Sequence, residues 1–537
     1  MNLVKWRTSQ NSNIAEKYEP LPGDSQLPGP TTRARLVLKK TRLKSMMSVL
    51  AAVVVLWTLA YTTFTANYNR FYCQRSPTSP NSKPSGQSTA TYGPGLWTSP
   101  TPAQHQPPSA ILTEDNVDPG PSAASGDPPR YKKYHEQERN LPQHNMSLPY
   151  PDGSHAKFLW VHSHGWSRFG WGDYMQEMIL NTYLAYAAQR AYVFDSYTLE
   201  REGPEVGSWN GRPTPARIPL SAFISGPIVG GLMRDKDIPR AVSREYYYSA
   251  CPESERVIFD ARKIQDRLDS DATVNQIVDR WVAELRSIQS PCVELARSSP
   301  TLFGYEITTS KRVLDLFPAL SKSPILSGFG WSPLVLEGFY DNFKHFASSW
   351  DFDDAPLLRE TWTTPLRGLL VLHIRHGGNE TSESCRDAYL NSVSFMGFNS
   401  FPGLPDKYSP PKVDQSHSMS EITRKHCLPS IPEVVQKVLG VNAPHINRVY
   451  VMTNAPRPWL EELKAALRTV HDWANGIATS HDLKFSSEGR FVAEALDMHV
   501  AQRAERFIGN GFSSFTSDVV MLRMHNQDLR PSDTHFW

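Results

Sequence analysis

Three short stretches bring together residue types suited to holding a charged phosphate. The first is His373-Ile374-Arg375, which closes an apolar run, Arg367 to Ile374 (RGLLVLHI), and precedes Gly377-Gly378. An arginine at a strand end offers a planar fork of donors that matches phosphate oxygens two at a time. The second is GNGFSSFT, Gly509 to Thr516, where Gly511, Ser513, Ser514 and Phe515 lead into a helix carrying Val519, Val520, Leu522 and Arg523. A helix N-terminus presents backbone N–H groups and the positive end of the helix dipole, which makes an anion site. The third is Asp497, on the preceding helical stretch, a carboxylate suited to accept hydrogen bonds from a base or a ribose. Each has a plainer reading when taken alone. Arg375 would pair with a surface acid, the serines would cap a helix, and Asp497 would be a helix-surface charge. Their joint occurrence, each at the loop end of its own βα unit, points to a nucleoside-diphosphate site.

The elements that must carry these residues alternate. Lys157 to Val161 (KFLWV) reads as a buried strand, followed by a loop with Gly165, Gly170 and Gly172 among aromatics. A helix is expected next, with Asp173 as N-cap and Gln176 three residues on, the spacing of a capping box. Met175, Met178, Ile179, Thr182, Tyr183 and Tyr186 fall on one face of it. Ala191 to Phe194 is the following strand. In the second half, RGLLVLHI, Arg448 to Met452 and Arg506 to Ile508 read as strands. Helices are expected from about Pro456, over about Phe491 to Arg503, and after Thr516. Strand–helix alternation of this kind implies parallel, doubly wound α/β domains, whose ligands bind beyond the carboxyl ends of the strands.

The N-terminal region has a different character. Met46 to Phe64 carries no charge over a length that suits one membrane-spanning helix. Arg33, Arg35, Lys39, Lys40, Arg42 and Lys44 precede it and only Arg70 follows closely, so residues 1–45 are expected in the cytosol and the remainder in the lumen. Most of the excess among the 43 prolines lies in the Ser/Thr-rich stretch after Cys73, which reads as an extended stem over 65–150. Asn145-Met-Ser and Asn379-Glu-Thr are glycosylation sequons usable in a lumen. Of five cysteines, Cys251–Cys292 and Cys385–Cys427 would each close a local loop; free buried thiols are the other reading. A net charge of +2 gives no sign of polyanion binding. The layout suits Golgi or ER glycan-processing enzymes and also anchored lectins.

The element at Leu372 to Arg375 and the run Asp497 to Arg523 (DMHVAQRAERFIGNGFSSFTSDVVMLR) resemble the GDP-fucose-dependent fucosyltransferases, the protein O-fucosyltransferase and α1,6-fucosyltransferase group, its fungal members above all. The resemblance covers roughly Lys157 to Trp537. It implies a GT-B fold with two Rossmann-like domains facing a cleft, 151–360 on the acceptor side and 361–537 for the nucleotide sugar. It also implies inverting, metal-independent transfer from GDP-fucose to a protein or glycan hydroxyl, with no cofactor. By position Arg375 would contact the pyrophosphate, His373 and Asp497 the nucleotide, and Ser513, Ser514 and Phe515 the β-phosphate region. Some members carry a carboxylate base near the N-terminal loop, and Asp173 and Glu177 are the local candidates for that role. Two departures stand out. Gly170-Trp171-Gly172-Asp173 replaces a Gly-Gly-Phe-Asn-like loop, and Gly377-Gly378-Asn379-Glu380 replaces a charged continuation.

Two other readings compete. A metal-dependent transferase would use an Asp-x-Asp, and Asp269-Ser-Asp271 and Asp351-Phe-Asp353 both exist, but neither follows an apolar strand. An anchored pseudoenzyme or lectin that keeps the fold is the second. HExxH, paired CxxC and GxSxG are absent, against zinc-peptidase, zinc-ribbon and α/β-hydrolase chemistry.

Overall fold

The computed structural model describes residues 128–537 apart from 163–169, 199–202, 210–211, 234–236, 348–362, 377–378 and 415–418. Every described residue lies in one compact unit, within Ala110–Trp537. The tail, the expected span 46–64, Cys73 and the stem up to residue 127 therefore fall outside the described residues. Among the described residues no helix is long and apolar enough to cross a membrane.

Two five-stranded parallel sheets form the frame. The first contains β1 (Phe158–Trp160), β2 (Ala191–Phe194), β3 (Val242–Ser243), β4 (Val257–Phe259) and β5 (Cys292–Leu295), in the order β3-β2-β1-β5-β4. The second contains β6 (Leu366–Ile374), β7 (Arg448–Thr453), β8 (Ile477–Thr479), β9 (Ala504–Gly509) and β10 (Thr534–Phe536), in the order β8-β7-β6-β9-β10. Every pairing within the two sheets is parallel. This is the expected doubly wound α/β architecture.

Burial explains why these runs are strands. Successive side chains leave opposite faces, so a strand covered on both sides must be apolar throughout. On β6, Leu370, Leu372 and Ile374 enter an outer layer with Val434, Val438, Leu463 and Leu467. Leu369 and Val371 enter the opposite layer. On β1 the split is the same, with Phe158 and Trp160 outward and Leu159 inward. That inner layer runs unbroken from Leu159 to Phe536, so the two sheets share one continuous core.

The helices that matter for the site are α1 (Lys132–Arg139), α2 (Trp171–Ala187), α3 (Asn379–Leu390), α4 (Glu421–Cys427), α5 (Ala493–Arg503) and α6 (Ser514–His525). Residues 131–150, counted with the stem in the sequence reading, pack against the domain. Tyr131 is buried and donates its hydroxyl to the Glu488 carbonyl at 2.7 Å. Gln143 donates to the carbonyls of Gly230 and Ala241 at 3.0 and 2.6 Å, and Glu138 accepts from Ser221 N–H at 2.8 Å. The packed chain thus begins before residue 151, because buried aromatic and amide groups interrupt the polar composition. Both expected cysteine pairs are disulfides, Cys251–Cys292 and Cys385–Cys427.

Candidate active site

In the second sheet the strand order reverses between β6 and β9, and a crevice opens where their carboxyl ends diverge. A cleft of about 610 Å³ lies there, in the usual size range for ligand sites. Asp173, His373, Arg375, Asp497, Ser513, Ser514 and Phe515 all line it. Residues 142 positions apart in sequence are therefore brought together by strand order alone, from His373 on β6 to Phe515 on α6.

His373 is fixed by the neighbouring loop. Its Nδ1 lies 2.7 Å from Thr516 Oγ1, and that same oxygen accepts the Asn510 N–H at 3.2 Å. Burial, aided by the Arg375 charge, pushes the His373 pKa down to about 3, so the ring is neutral at any working pH. The Phe515 ring packs over it with centroids 4.8 Å apart. Arg375, two residues on, is exposed to the cleft.

The GNGFSSFT turn is pinned from several sides. Asn510 donates to the Cys427 carbonyl at 2.9 Å and accepts from Phe512 N–H at 2.9 Å. Asn399 donates to the carbonyls of Gly511 and Ser513 at 3.1 and 3.2 Å. Helix α6 starts at Ser514 without a side-chain cap, as does α2 at Trp171. The two N-termini meet: a Cβ added at Gly172 would lie 2.5 Å from the backbone nitrogen of Phe515. Two positive helix ends and Arg375 thus face one cleft, an arrangement that favours an anion.

Carboxyl groups surround this cationic neck. Helix α2 begins at Trp171 with Gly170 as N-cap, so Asp173 is not the N-cap expected from the sequence. Glu494 takes the Trp171 N–H instead, which frees the third helical position to reach across to α6. Burial raises the Asp173 carboxyl above its usual range, opposed by the Ser514 hydroxyl and by Arg375. Its Oδ1 is buried without a hydrogen-bond partner among the described residues. Asp497 accepts from the Tyr450 hydroxyl and from Ser480 Oγ at 3.0 Å, and burial pushes it up to about 7.

Two expected site residues lie elsewhere. Glu177 does not line the cleft; it is half-buried beside β2, with Asn181 Nδ2 3.5 Å from its Oε1 and Tyr192 nearby. One further turn along α2 has carried it past the helix end where the halves meet. Gly511 is buried against Phe395, whose ring carbon would lie 2.2 Å from an added Cβ, so it shapes the loop without lining the cleft. Asp269 and Asp271 sit on an exposed turn away from the cleft, and Asp351-Phe-Asp353 and Gly377-Gly378 lie outside the described residues. Glu494, Asn454 and Ser480 also line the cleft and were not singled out from the sequence. Glu494 was legible in principle, since it stands three residues before Asp497 on one helix face.

Residues 372–526 match the family model described as GDP-fucose protein O-fucosyltransferase. This segment is similar to the O-fucosyltransferase family, the likeness that the sequence resemblance implied. The segment opens at Leu372, one residue before His373, and closes after α6, so it encloses every cleft residue of the second sheet. Among solved structures, that of POFUT1 in complex with GDP-fucose is 12% identical over 71% of this chain and 97% of that chain, with a TM-score of 0.42. That of NodZ α-1,6-fucosyltransferase soaked with GDP-fucose is 12% identical over 68% of this chain and 92% of that chain, with a TM-score of 0.33. A fucosyltransferase NodZ structure from Bradyrhizobium is 11% identical, with a TM-score of 0.33. No curated protein matches the chain in sequence.

Two outcomes are expected of the matched segment and its contact with α2. Gly172→Val forces a branched side chain into the Phe515 backbone and should destabilise by about 2 kcal/mol. Thermal unfolding would show the fall, and nucleoside-diphosphate binding should weaken with it. The second concerns pH. The folded Asp497 holds its proton more tightly than an unfolded aspartate, so its burial opposes folding increasingly as pH rises from about 4 to about 7. A ligand that donates to its carboxylate gains over the same upper range. Calorimetric affinity for a nucleoside diphosphate should therefore rise between about pH 6 and 8, and Asp497→Asn should flatten that rise.

Proposed function

We propose that this chain transfers fucose from GDP-fucose to a hydroxyl of a protein or glycan, inverting the sugar's anomeric centre without a metal ion. The observation that carries the reading is the convergence of Arg375 with the uncapped N-termini of α2 and α6 on one cleft inside the O-fucosyltransferase segment. When the bond between C1 of the sugar and the β-phosphate oxygen breaks, negative charge grows on the diphosphate. Arg375 and the α6 N-terminus are placed to neutralise it, the part a metal plays elsewhere. The neutral His373 ring adds a hydrogen bond to the nucleotide, and the Asp497 carboxylate accepts from its ribose or base. The acceptor oxygen forms its bond to C1 from the face opposite the leaving phosphate, and its proton passes to a base. Asp173 fits that role: its carboxyl stands at the neck of the cleft, has an unengaged buried oxygen, and holds a raised pKa suited to taking a proton.

The catalytic domain would work in the lumen of the Golgi or ER, held by a single-pass span at 46–64 with its tail in the cytosol. The charge-free run, the basic cluster before it and the two sequons support that topology. Two disulfides in the described residues suit an oxidising compartment.

Calorimetry on the full chain in detergent micelles, with EDTA present, tests the donor. GDP and GDP-fucose should bind, and Arg375→Ala should weaken both by roughly 100-fold, the loss of a charge-assisted pair worth about 3 kcal/mol. Asp173→Asn should keep donor binding and lose turnover by about 100-fold or more. Binding of UDP sugars alone, or binding that requires a metal, would overturn the donor. Topology has its own readout: Asn145 is exposed, and Asn145→Gln should remove one endoglycosidase-sensitive mass step in cells. A chain with no such step at either sequon would place the domain on the other side.

A further inference from the structure

Past Arg375 the cleft opens into a second chamber of about 500 Å³. The two spaces share Gly170, Asp173, Arg375 and Ser514, so the Asp173 carboxyl faces both. Neither His373 nor Asp497 reaches the second chamber, and a nucleotide held by them leaves it vacant for another molecule.

Its walls have a specific chemistry. Tyr305 presents a ring that is 56% exposed; Asp387 is exposed on α3, and Asn391, exposed just past its end, donates one amide N–H to the Asp387 carbonyl at 2.9 Å and keeps its oxygen and second N–H toward the chamber. Val393 and Met396 supply apolar floor. The Tyr305 hydroxyl lies within electrostatic reach of Asp173, Arg375 and Asp387. Helix α3 is tied to α4 by the Cys385–Cys427 bridge, and the Asp387 carboxylate lies 3.8 Å from Arg386 Nε.

We propose that this chamber is the acceptor subsite and that it takes a sugar unit, so that the acceptor is a glycan. The assignment rests on the transferase reading above. A pyranose carries adjacent hydroxyls, each both donor and acceptor, and one face made of C–H groups. A carboxylate accepts from two neighbouring hydroxyls, a primary amide both donates and accepts, and an aromatic ring covers the C–H face. Asp387, Asn391 and Tyr305 supply one of each. An extended peptide would instead seek unpaired strand backbone for main-chain hydrogen bonds, and the chamber wall is a helix and its side chains. A sugar hydroxyl directed toward the neck meets Asp173, the group assigned to take its proton.

The test is saturation-transfer NMR on the full chain in micelles with GDP bound. The probes are methyl glycosides of mannose, glucose, galactose and N-acetylglucosamine, and a set of Ser/Thr-containing peptides. At least one glycoside should show transfer, and Tyr305→Ala and Asp387→Asn should each weaken it by roughly 10-fold, the loss of one stacking contact or charged hydrogen bond. GDP affinity should stay within about 2-fold in both, because neither residue lines the nucleotide cleft. Binding by peptides only, no glycoside binding, or glycoside binding untouched by both variants overturns the subsite while GDP binding leaves the donor reading standing. Failure of GDP itself to bind overturns the donor reading and this one with it.

Discussion

The contact between Gly172 and the backbone of Ser514 and Phe515 is the constraint on which the rest of the site depends. Two helices from different sheets meet there end to end, closer than any side chain would permit. Helix dipoles of like sign repel at that range, and the approach exposes N–H groups that neither helix caps. Gln176 draws near the Ser514 carbonyl at 3.4 Å, and the apolar layer shared by both sheets supplies the packing that holds the ends together. The result is a cationic neck maintained by the fold and only partly answered by protein groups.

Carboxyl groups near the neck give the partial answer. Glu494 accepts the Trp171 N–H, Asp173 approaches Ser514, and Asp518 is buried one turn further along α6. Burial raises all three above the ordinary carboxyl range. A site lined with fully ionised acids would repel a diphosphate, and the burial of these carboxyls works against that ionisation. Charge in this cleft is therefore set by desolvation as much as by the count of residues.

Much of this was legible in the sequence, for reasons that differ by element. RGLLVLHI and RVYVM are apolar throughout because both faces of their strands are covered, so they announce themselves without any partner being known. His373, Arg375 and the serines of GNGFSSFT follow directly at loop ends, and strand order does the rest. The start of α2 was misread because Asp173 has the composition of an N-cap while the actual cap, Gly170, has no side chain to advertise it. That Glu177 stands off the cleft was hidden for a related reason, since nothing local says where a helix crosses the seam between two sheets. The packed segment 131–150 looks like stem by composition, and only its distant partners Glu488, Gly230 and Ser221 make it part of the domain.

At the far end of α6 from the cleft, Arg523 is wholly buried. It donates to the carbonyls of Ala501, Ala504 and Asp533 and to the Thr534 hydroxyl, and burial pushes its pKa down to about 9. One guanidinium thus welds the helix to the ends of α5, β9 and β10. The N–H groups that face the anion are already aimed before any ligand arrives, because the tail of their helix cannot swing. Ordering entropy that a looser site would surrender on each encounter is here surrendered once, when the chain folds.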